Sequence, residues 1–369
     1  MISCSDHYSH RMNVADDQLR ARGYQVTYIT SDFDHIKKER FVCTVPGCVQ
    51  LPAKPYKKNL SASRILSHYC FARDVFAYLE KLPQEPDVVV VLIPPNFLAH
   101  YGAKYKKAHP NVRLIFDVFD MWPETFPSGK LKKLLAPVFG VWAKIRDRSI
   151  GNADFVITEC EMFRRMLKLS RKKSAAVYLC AEPVESAVPK MVGEDVISLC
   201  YLGSVNNVVG ISEICALIAE LAQLKPVQLH VIGAGERMQA FLSQAEAAGA
   251  KVEFYGAVYD PQQKREIMDR CHFGLNVMKT TTCIGLTMKS LDYLRFGLPI
   301  INNVPADSQM LVKTENIGVE LDENCARVIA EMTAQEHIRM CENVKRVFDE
   351  RLSRRIIDRQ YEEILNAIL

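Results

Sequence analysis

The longest uninterrupted apolar run in the first half of the chain is Asp87 to Ile93 (DVVVVLI), closed by Pro94 and Pro95. A run of β-branched residues of that length, without alternation, is the pattern of a strand buried on both faces of a parallel sheet. Shorter runs of the same kind lie at Gln25 to Thr30, Val112 to Phe116 and Asp154 to Thr158. Between them fall helix-like segments, Ser63 to Lys81 and Leu131 to Ile150. This alternation predicts βαβ units.

The rhythm breaks after Cys180 at AEPVESAVPKMVGED, a polar stretch with Pro183 and Pro189 and no periodic apolar face. Such a stretch reads as a linker. The rhythm then restarts, with predicted strands at Val196 to Leu202, Val227 to Ile232, Val252 to Tyr255, Phe273 to Met278 and Leu298 to Asn302. The predicted helices between them are Ile211 to Leu224, Glu236 to Ala248, Pro261 to Arg270 and about Gly285 to Phe296. A charged, amphipathic helical tail follows from Glu336, with Val344, Val347, Leu352, Ile356, Tyr361 and Ile364 as its apolar positions. The expected fold class is α/β with two Rossmann-like domains, residues 1–184 and 185–350. Residues 351–369 form a last helix that packs back on the N-terminal domain or bridges both.

The first strand is anomalous. A Rossmann-like domain normally opens on an apolar central strand, yet here only Met1 and Ile2 precede the polar loop Ser3 to Asn13. Either that strand is a stub or the chain as written starts late.

Composition narrows the function classes. At 369 residues, 49% apolar and 24% charged, the chain has the profile of an ordinary globular protein of two domains. No apolar run approaches the ~20 residues needed to cross a bilayer, and the polar N-terminus lacks the apolar core of a secretory signal. A cytoplasmic location is the expectation. The 12 cysteines are scattered and read as reduced, buried side chains. Only Cys43 and Cys48 lie close together, and with His68 the next histidine a zinc site is not expected.

The net charge of +4 conceals an asymmetry: residues 1–180 carry a balance of +11 and the remainder −7. A positive N-terminal domain should meet something anionic. Lys130 to Lys133, Lys144 to Arg148 and Arg164 to Lys173 are basic, and Leu131, Leu134, Leu135, Val138, Phe139 and Trp142 interleave the first two. That pattern suits an anionic membrane surface, making the protein peripheral on the inner membrane face. Nucleic acid is not expected, because no helix-turn-helix, RNA-recognition or finger pattern is present.

Ligands of open α/β sheets bind at the carboxyl ends of the strands. In the second half those loops hold Gly203-Ser204, Gly233-Ala234-Gly235, Gly256 to Asp260 (with Val258 and Tyr259) and Thr280 to Met288. The Gly233-x-Gly235 pair is not a dinucleotide fingerprint, since Met238 occupies the third glycine position, and no P-loop occurs. The segment Ile284 to Asn302 (IGLTMKSLDYLRFGLPIIN) is richer. Gly285, Leu286 and Thr287 at a helix start can approach a diphosphate. Lys289 adds a point charge one turn in, and Asp292 can accept two ribose hydroxyls.

The pattern G-L-T-x-K-x-x-D-Y-x-x-x-G-L-P-I-I resembles the donor-site signature of retaining glycosyltransferases of the fourth sequence family, with Asp292 five positions before Gly297. Asp120-Met121-Trp122-Pro123-Glu124 resembles the D-x-W-P-E segment of a branch that builds bacterial surface polysaccharides. The resemblance implies a GT-B architecture, two domains facing across a deep cleft. It also implies transfer of a sugar with retention from a nucleotide diphosphate donor, without metal or other cofactor, to a glycan or lipid-linked acceptor. By that implication Gly203, Ser204, Gly233, Val258, Tyr259 and the Gly285 to Asp292 residues hold a UDP-type donor. Asp120 or Glu124 orients or deprotonates the acceptor, and His7, His10, Arg11 and Trp122 line the acceptor side. Two departures stand out: the family's first glutamate falls on Ile284, and its Arg and Lys pair after the first strand is replaced by Ser204 to Val209. A nucleotide-sugar epimerase and a catalytically inert nucleotide-sugar-binding partner remain as alternatives.

Overall fold

The computed structural model describes residues 1–5, 9–126, 134–184 and 195–369, with the backbone only at residues 9 and 10. The chain divides into two compact units, Met1–Val177 with Ile357–Leu369, and Tyr178–Ile356.

The N-terminal unit runs α1 (Ser9–Ala21), β1 (Ile29–Ser31), β2 (Val49–Leu51), α2 (Ala62–Leu79), β3 (Val88–Ile93), α3 (Asn96–Ala108), β4 (Arg113–Val118), α4 (Ala136–Ile150), β5 (Phe155–Thr158), α5 (Glu161–Met166) and β6 (Ser174–Ala176). All its strand pairs are parallel: β1 with β2, and β3-β4-β5-β6 in sequence. Met1 to Ser3 occupy the position of the central strand. Ile2 bridges Ile29 on one side and Val91 on the other. Its amide donates to Val90 O (2.8 Å), its carbonyl accepts from Leu92 N (2.9 Å), and Ser3 N donates to Ile29 O (3.0 Å). Both edges of this short segment are paired and the Ile2 side chain is buried.

Buried α1 side chains and the end of the chain close this unit. Arg11 in α1 forms a two-pronged ion pair with Asp117 at the end of β4, both side chains 2% exposed. Tyr361 donates its hydroxyl to the same carboxylate at 3.0 Å. Arg22 holds Asn366 at 2.8 Å. The carboxylate thus accepts from a guanidinium and a phenol, the satisfaction that a buried charge requires.

The C-terminal unit runs β7 (Ile197–Leu202), α6 (Ile211–Ala222), β8 (Val227–Ile232), α7 (Met238–Ala247), β9 (Ala250–Phe254), α8 (Pro261–Met268), β10 (Phe273–Asn276), α9 (Met288–Arg295), β11 (Ile300–Asn302), α10 (Asp307–Glu315), β12 (Gly318–Glu320), α11 (Cys325–Glu331) and α12 (Ala334–Val347). The predicted single tail helix is broken by a π-helical turn at Phe348–Leu352, after which α13 (Arg354–Ile368) ends the chain. The sheet order is β12-β11-β10-β7-β8-β9, all parallel. This is the doubly wound order, with its switch point between β7 and β10. The predicted strand run VISLCYL fills the centre, and Leu199, Tyr201, Phe241 and Phe273 are among the residues of one continuous core. Both sheets meet the expectation of two Rossmann-like α/β domains.

Two helix predictions shift. α9 begins at Met288 and not at Gly285, because Thr287 and Ser290 form a capping box that sets the first turn. Gly285 precedes it, its carbonyl accepting from Ser308 N (3.0 Å) and Ser308 Oγ (2.7 Å). The basic run Arg164 to Lys173 is not an open helix face: α5 is six residues long, and buried Arg164 is paired with Glu161. Lys130 to Lys133 lie outside the described residues.

Candidate functional site

Three loops leave the carboxyl ends of β7, β8 and β9 and are hydrogen-bonded to one another. Gly203 N donates to Ile232 O (2.9 Å), Val205 N to Ala234 O (2.9 Å) and Gly233 N to Gly256 O (2.7 Å). The spacing explains the glycines. Gly233 has φ +147°, and a Cβ there would lie 2.0 Å from Gly203 O; one on Gly235 would lie 2.3 Å from Val205 O. The backbone therefore comes closer than any side chain allows, leaving Ser204 exposed at the rim. Val258 and Tyr259 follow in the β9 loop, with the Tyr259 ring 87% exposed.

At the switch point α9 is locked onto β7. The Tyr293 hydroxyl donates to Cys200 O (3.1 Å) and accepts from Leu202 N (2.8 Å). Its ring fits only because residue 274 is glycine, where a Cβ would sit 2.5 Å from the ring. Thr287 Oγ1 donates to Asn276 Oδ1 of β10 at 2.7 Å. The capping box takes the amides of Thr287 and Ser290 and leaves those of Met288 and Lys289 outside it. This places Lys289 over the Tyr201 ring, its Nζ 4.7 Å from the centroid. That nitrogen is buried and has no hydrogen-bond partner among the described residues. Burial lowers its pKa to about 8.

Asp292, one turn further, is two-thirds buried and lies 3.6 Å from Lys264 Nζ in the first turn of α8. Lys264 was invisible in the sequence pattern, because only the fold brings α8 against α9. Leu286 is buried, and Ile284 offers no charge.

The loop after β4 carries the other expected chemistry. Asp120 accepts from Met121 N (2.8 Å) and from Trp122 Nε1 (2.7 Å). Burial raises its pKa above the usual carboxylate value, against the pull of those bonds. Glu124 is less free than a general base should be. Both its oxygens are held by Arg146, at 2.8 and 3.0 Å, and Arg146 is 1% exposed and also donates to Trp122 O. Trp122 stacks on His68 with centroids 5.7 Å apart and 18° between planes, and carries Arg64 over its face at 4.3 Å.

Of the side chains expected on the acceptor side, Arg11 is the correction. It belongs to α1 and not to a loop, and its guanidinium is consumed by Asp117 and by Val177 O (2.8 Å). A buried arginine so paired is structural. His10 lies in α1 but its side chain, like all of His7, falls outside the described residues. Sequence reasoning missed His35, Arg64 and His68, which the fold gathers around Trp122. A cation and two histidines scattered over 34 positions carry no spacing signal.

Residues 197–333 match the profile of the family described as Glycosyl transferases group 1. This segment is similar to a group 1 glycosyl transferase domain. It contains the three zipped loops, α9 and Lys264, so the likeness read from the Gly285 to Ile301 pattern is borne out for this half. Solved structures agree in fold over the whole chain. Anabaena Alr3699/HepE in complex with UDP and glucose is 14% identical, covering 100% of this chain and 98% of its own, with a TM-score of 0.62. The lipopolysaccharide outer core galactosyltransferase WaaB is 13% identical over 100% and 98%, with a TM-score of 0.66. MurG of Acinetobacter baumannii is 11% identical over 99% and 98%, at 0.56. No curated protein sequence matches the chain. Among the described residues there is no cluster fit to hold a metal ion, and no helix long and apolar enough to cross a membrane.

Proposed function

We propose that the chain transfers a sugar, with retention, from a uridine diphosphate donor held by the group 1 domain to a glycan or lipid-linked acceptor held by the N-terminal unit. The observation that carries this is Lys289. A buried ammonium without a partner is costly unless an anion reaches it, and it lies at the switch point beside free helix amides. The diphosphate would take the Met288 and Lys289 amides and the Lys289 charge, while Asp292 accepts the ribose hydroxyls in exchange for Lys264. The loops at Gly203, Gly233 and Val258-Tyr259 would meet the rest of the nucleotide. Preorganised amides and Lys289 would stabilise the departing diphosphate. Asp120, with its raised pKa, suits the acceptor hydroxyl better than Glu124. The likeness of Asp120 to Glu124 to the D-x-W-P-E segment supports a role in surface-polysaccharide synthesis.

The N-terminal unit would rest on an anionic membrane. Lys104, Lys107, Lys144 and Arg148 line a groove of about 680 Å³ between α3 and α4. Leu134, Val138 and Val141 stand exposed beside it. Calorimetry with UDP tests the donor site: wild-type binding lost or weakened in Lys289→Met supports it, and equal affinity in both chains overturns it. A second reading, a nucleotide-sugar-binding partner without turnover, is favoured by Ile284 and by the engagement of Glu124. Release of UDP from a UDP-sugar in the presence of acceptor separates the two.

A further inference from the structure

Arg64 is 7% exposed, and no carboxylate of the described residues pairs with it. Its Nη1 donates to Asn59 O (3.0 Å), and its Nε has no partner among the described residues. Three aromatic rings surround the guanidinium: Trp122 at 4.3 Å, Phe126 at 5.3 Å and Tyr56 at 5.7 Å. The surroundings add positive charge. Lys38, whose ammonium donates to His35 O and Asn59 Oδ1, sits over Tyr56 at 4.6 Å. Arg64 occupies the first turn of α2, the positive end of an 18-residue helix whose first turn contains no acidic residue. Arg11 and Arg146, equally buried in the same unit, each have a carboxylate. Asp120 feels the charge of Arg64 but forms no ion pair with it, its oxygens being held by Met121 N and Trp122 Nε1.

The neighbours point the same way. His68, 1% exposed, has both ring nitrogens unpartnered. His35 bonds Tyr56 Oη (2.7 Å) and Cys4 O (2.9 Å). Both are held neutral, by burial first and by the charge of Arg64 second or third in order. Neither can compensate a cation: the one N–H of neutral His35 is spent on Cys4 O, and that of His68 is open to an anion. The segments that carry these groups leave the carboxyl ends of the stub strand, β1, β2 and β4, the edge where a parallel sheet takes its ligand.

We infer that Arg64, with Lys38 and the Trp122 face, is the receptor for an anionic oxygen group, a phosphate or a carboxylate, on the acceptor. The planar guanidinium suits both, since either presents two oxygens to its fork. The aromatic walls exclude water and strengthen the pair. This rests on the N-terminal unit holding the acceptor, and deepens that reading by giving the acceptor a charge.

The test uses the full chain and the fluorescence of Trp122, one of two tryptophans. Inorganic phosphate, a short prenyl phosphate and glucuronate are titrated in turn at constant ionic strength. We expect saturable change with a phosphate or with glucuronate, whichever group the acceptor carries, a loss of about tenfold or more in affinity in Arg64→Gln, and partial recovery in Arg64→Lys. UDP affinity, read separately by calorimetry, should be equal in all three chains, so failure of the donor reading shows apart from failure of this one. Equal anion affinity in Arg64→Gln, or no saturable response from wild type to any of the three anions, overturns the proposal. The wild-type titration decides even if the glutamine variant does not fold.

Discussion

At the carboxyl edge of the C-terminal sheet the surface proposed to face the donor is mostly backbone: loops with glycine at 203, 233 and 235, tied by amide hydrogen bonds, and one lysine, Lys289, with a buried ammonium. At the same edge of the N-terminal sheet it is mostly side chains: Arg64, His35, His68, Tyr56 and Trp122 packed ring on ring. The two parallel sheets are of one kind, so the difference is not topological. A backbone surface binds what every nucleotide diphosphate has, phosphate and ribose. A side-chain surface is tuned residue by residue and can follow a changing acceptor. Charges within each unit divide by the same logic, since those with partners, such as Arg11 with Asp117, hold the fold, and those without are available to a ligand.

The sharpest way to break this division is Asp117→Ala. It leaves Arg11 buried without its carboxylate and Tyr361 without an acceptor, and should cost about 3–5 kcal/mol in chemical denaturation. A loss below about 1 kcal/mol would show that pairing does not separate structural from binding cations here. Gly233→Ala comes next. Its Cβ would meet backbone, which cannot rotate away, at a φ of +147°. A cost of about 2–4 kcal/mol is expected, together with lost UDP binding, and an unchanged midpoint and affinity would mean that the loops are not close-packed.

The two edges should also appear on opposite limbs of the pH profile. His35, lowered to about 4, and His68, lowered by burial, stay neutral in the folded chain while the unfolded chain protonates near 6.5. Stability contributed this way is present above pH 6.5 and is lost as pH falls toward 4. Lys289 acts at the alkaline end. Its folded pKa of about 8 lies below the unfolded value near 10.4, so the unfolded chain binds more protons between them and stability rises with pH across that window. UDP affinity should fall over the same window as the ammonium is lost. Lys289→Met should remove both slopes and weaken UDP by about ten- to a hundredfold; persistence of either slope in that variant would take Lys289 out of the site.

The backbone edge was legible in the sequence and the side-chain edge was not. A βαβ rhythm with glycines at strand ends marks the loops, because glycine is demanded by local geometry. Thr287 and Tyr293 were also in the pattern, though their work is to cap α9 and to tie it to β7. Lys264 and Arg64 left no trace, since each acquires meaning only from a partner, or the lack of one, brought near by folding. Arg11 misled for the same reason: a loop arginine and a buried helical arginine look alike until Asp117, more than a hundred positions on, is placed beside it.

The smallest effect concerns the charge asymmetry, which the edges do not explain. Arg64 and the Lys289 ammonium are buried, whereas Lys104, Lys107, Lys144 and Arg148 around the groove are exposed and have no salt bridge among the described residues. A basic residue near an anionic bilayer contributes about 1 kcal/mol. Lys144→Gln should therefore weaken sedimentation with phosphatidylglycerol vesicles about fivefold at low salt. Lys251→Gln, exposed on β9 of the C-terminal unit, should change nothing. Raising ionic strength should erase the difference between the variants, since exposed charges more than a Debye length apart are screened. Equal losses in both variants would make the attraction a property of net charge alone. The groove would then have no part in it.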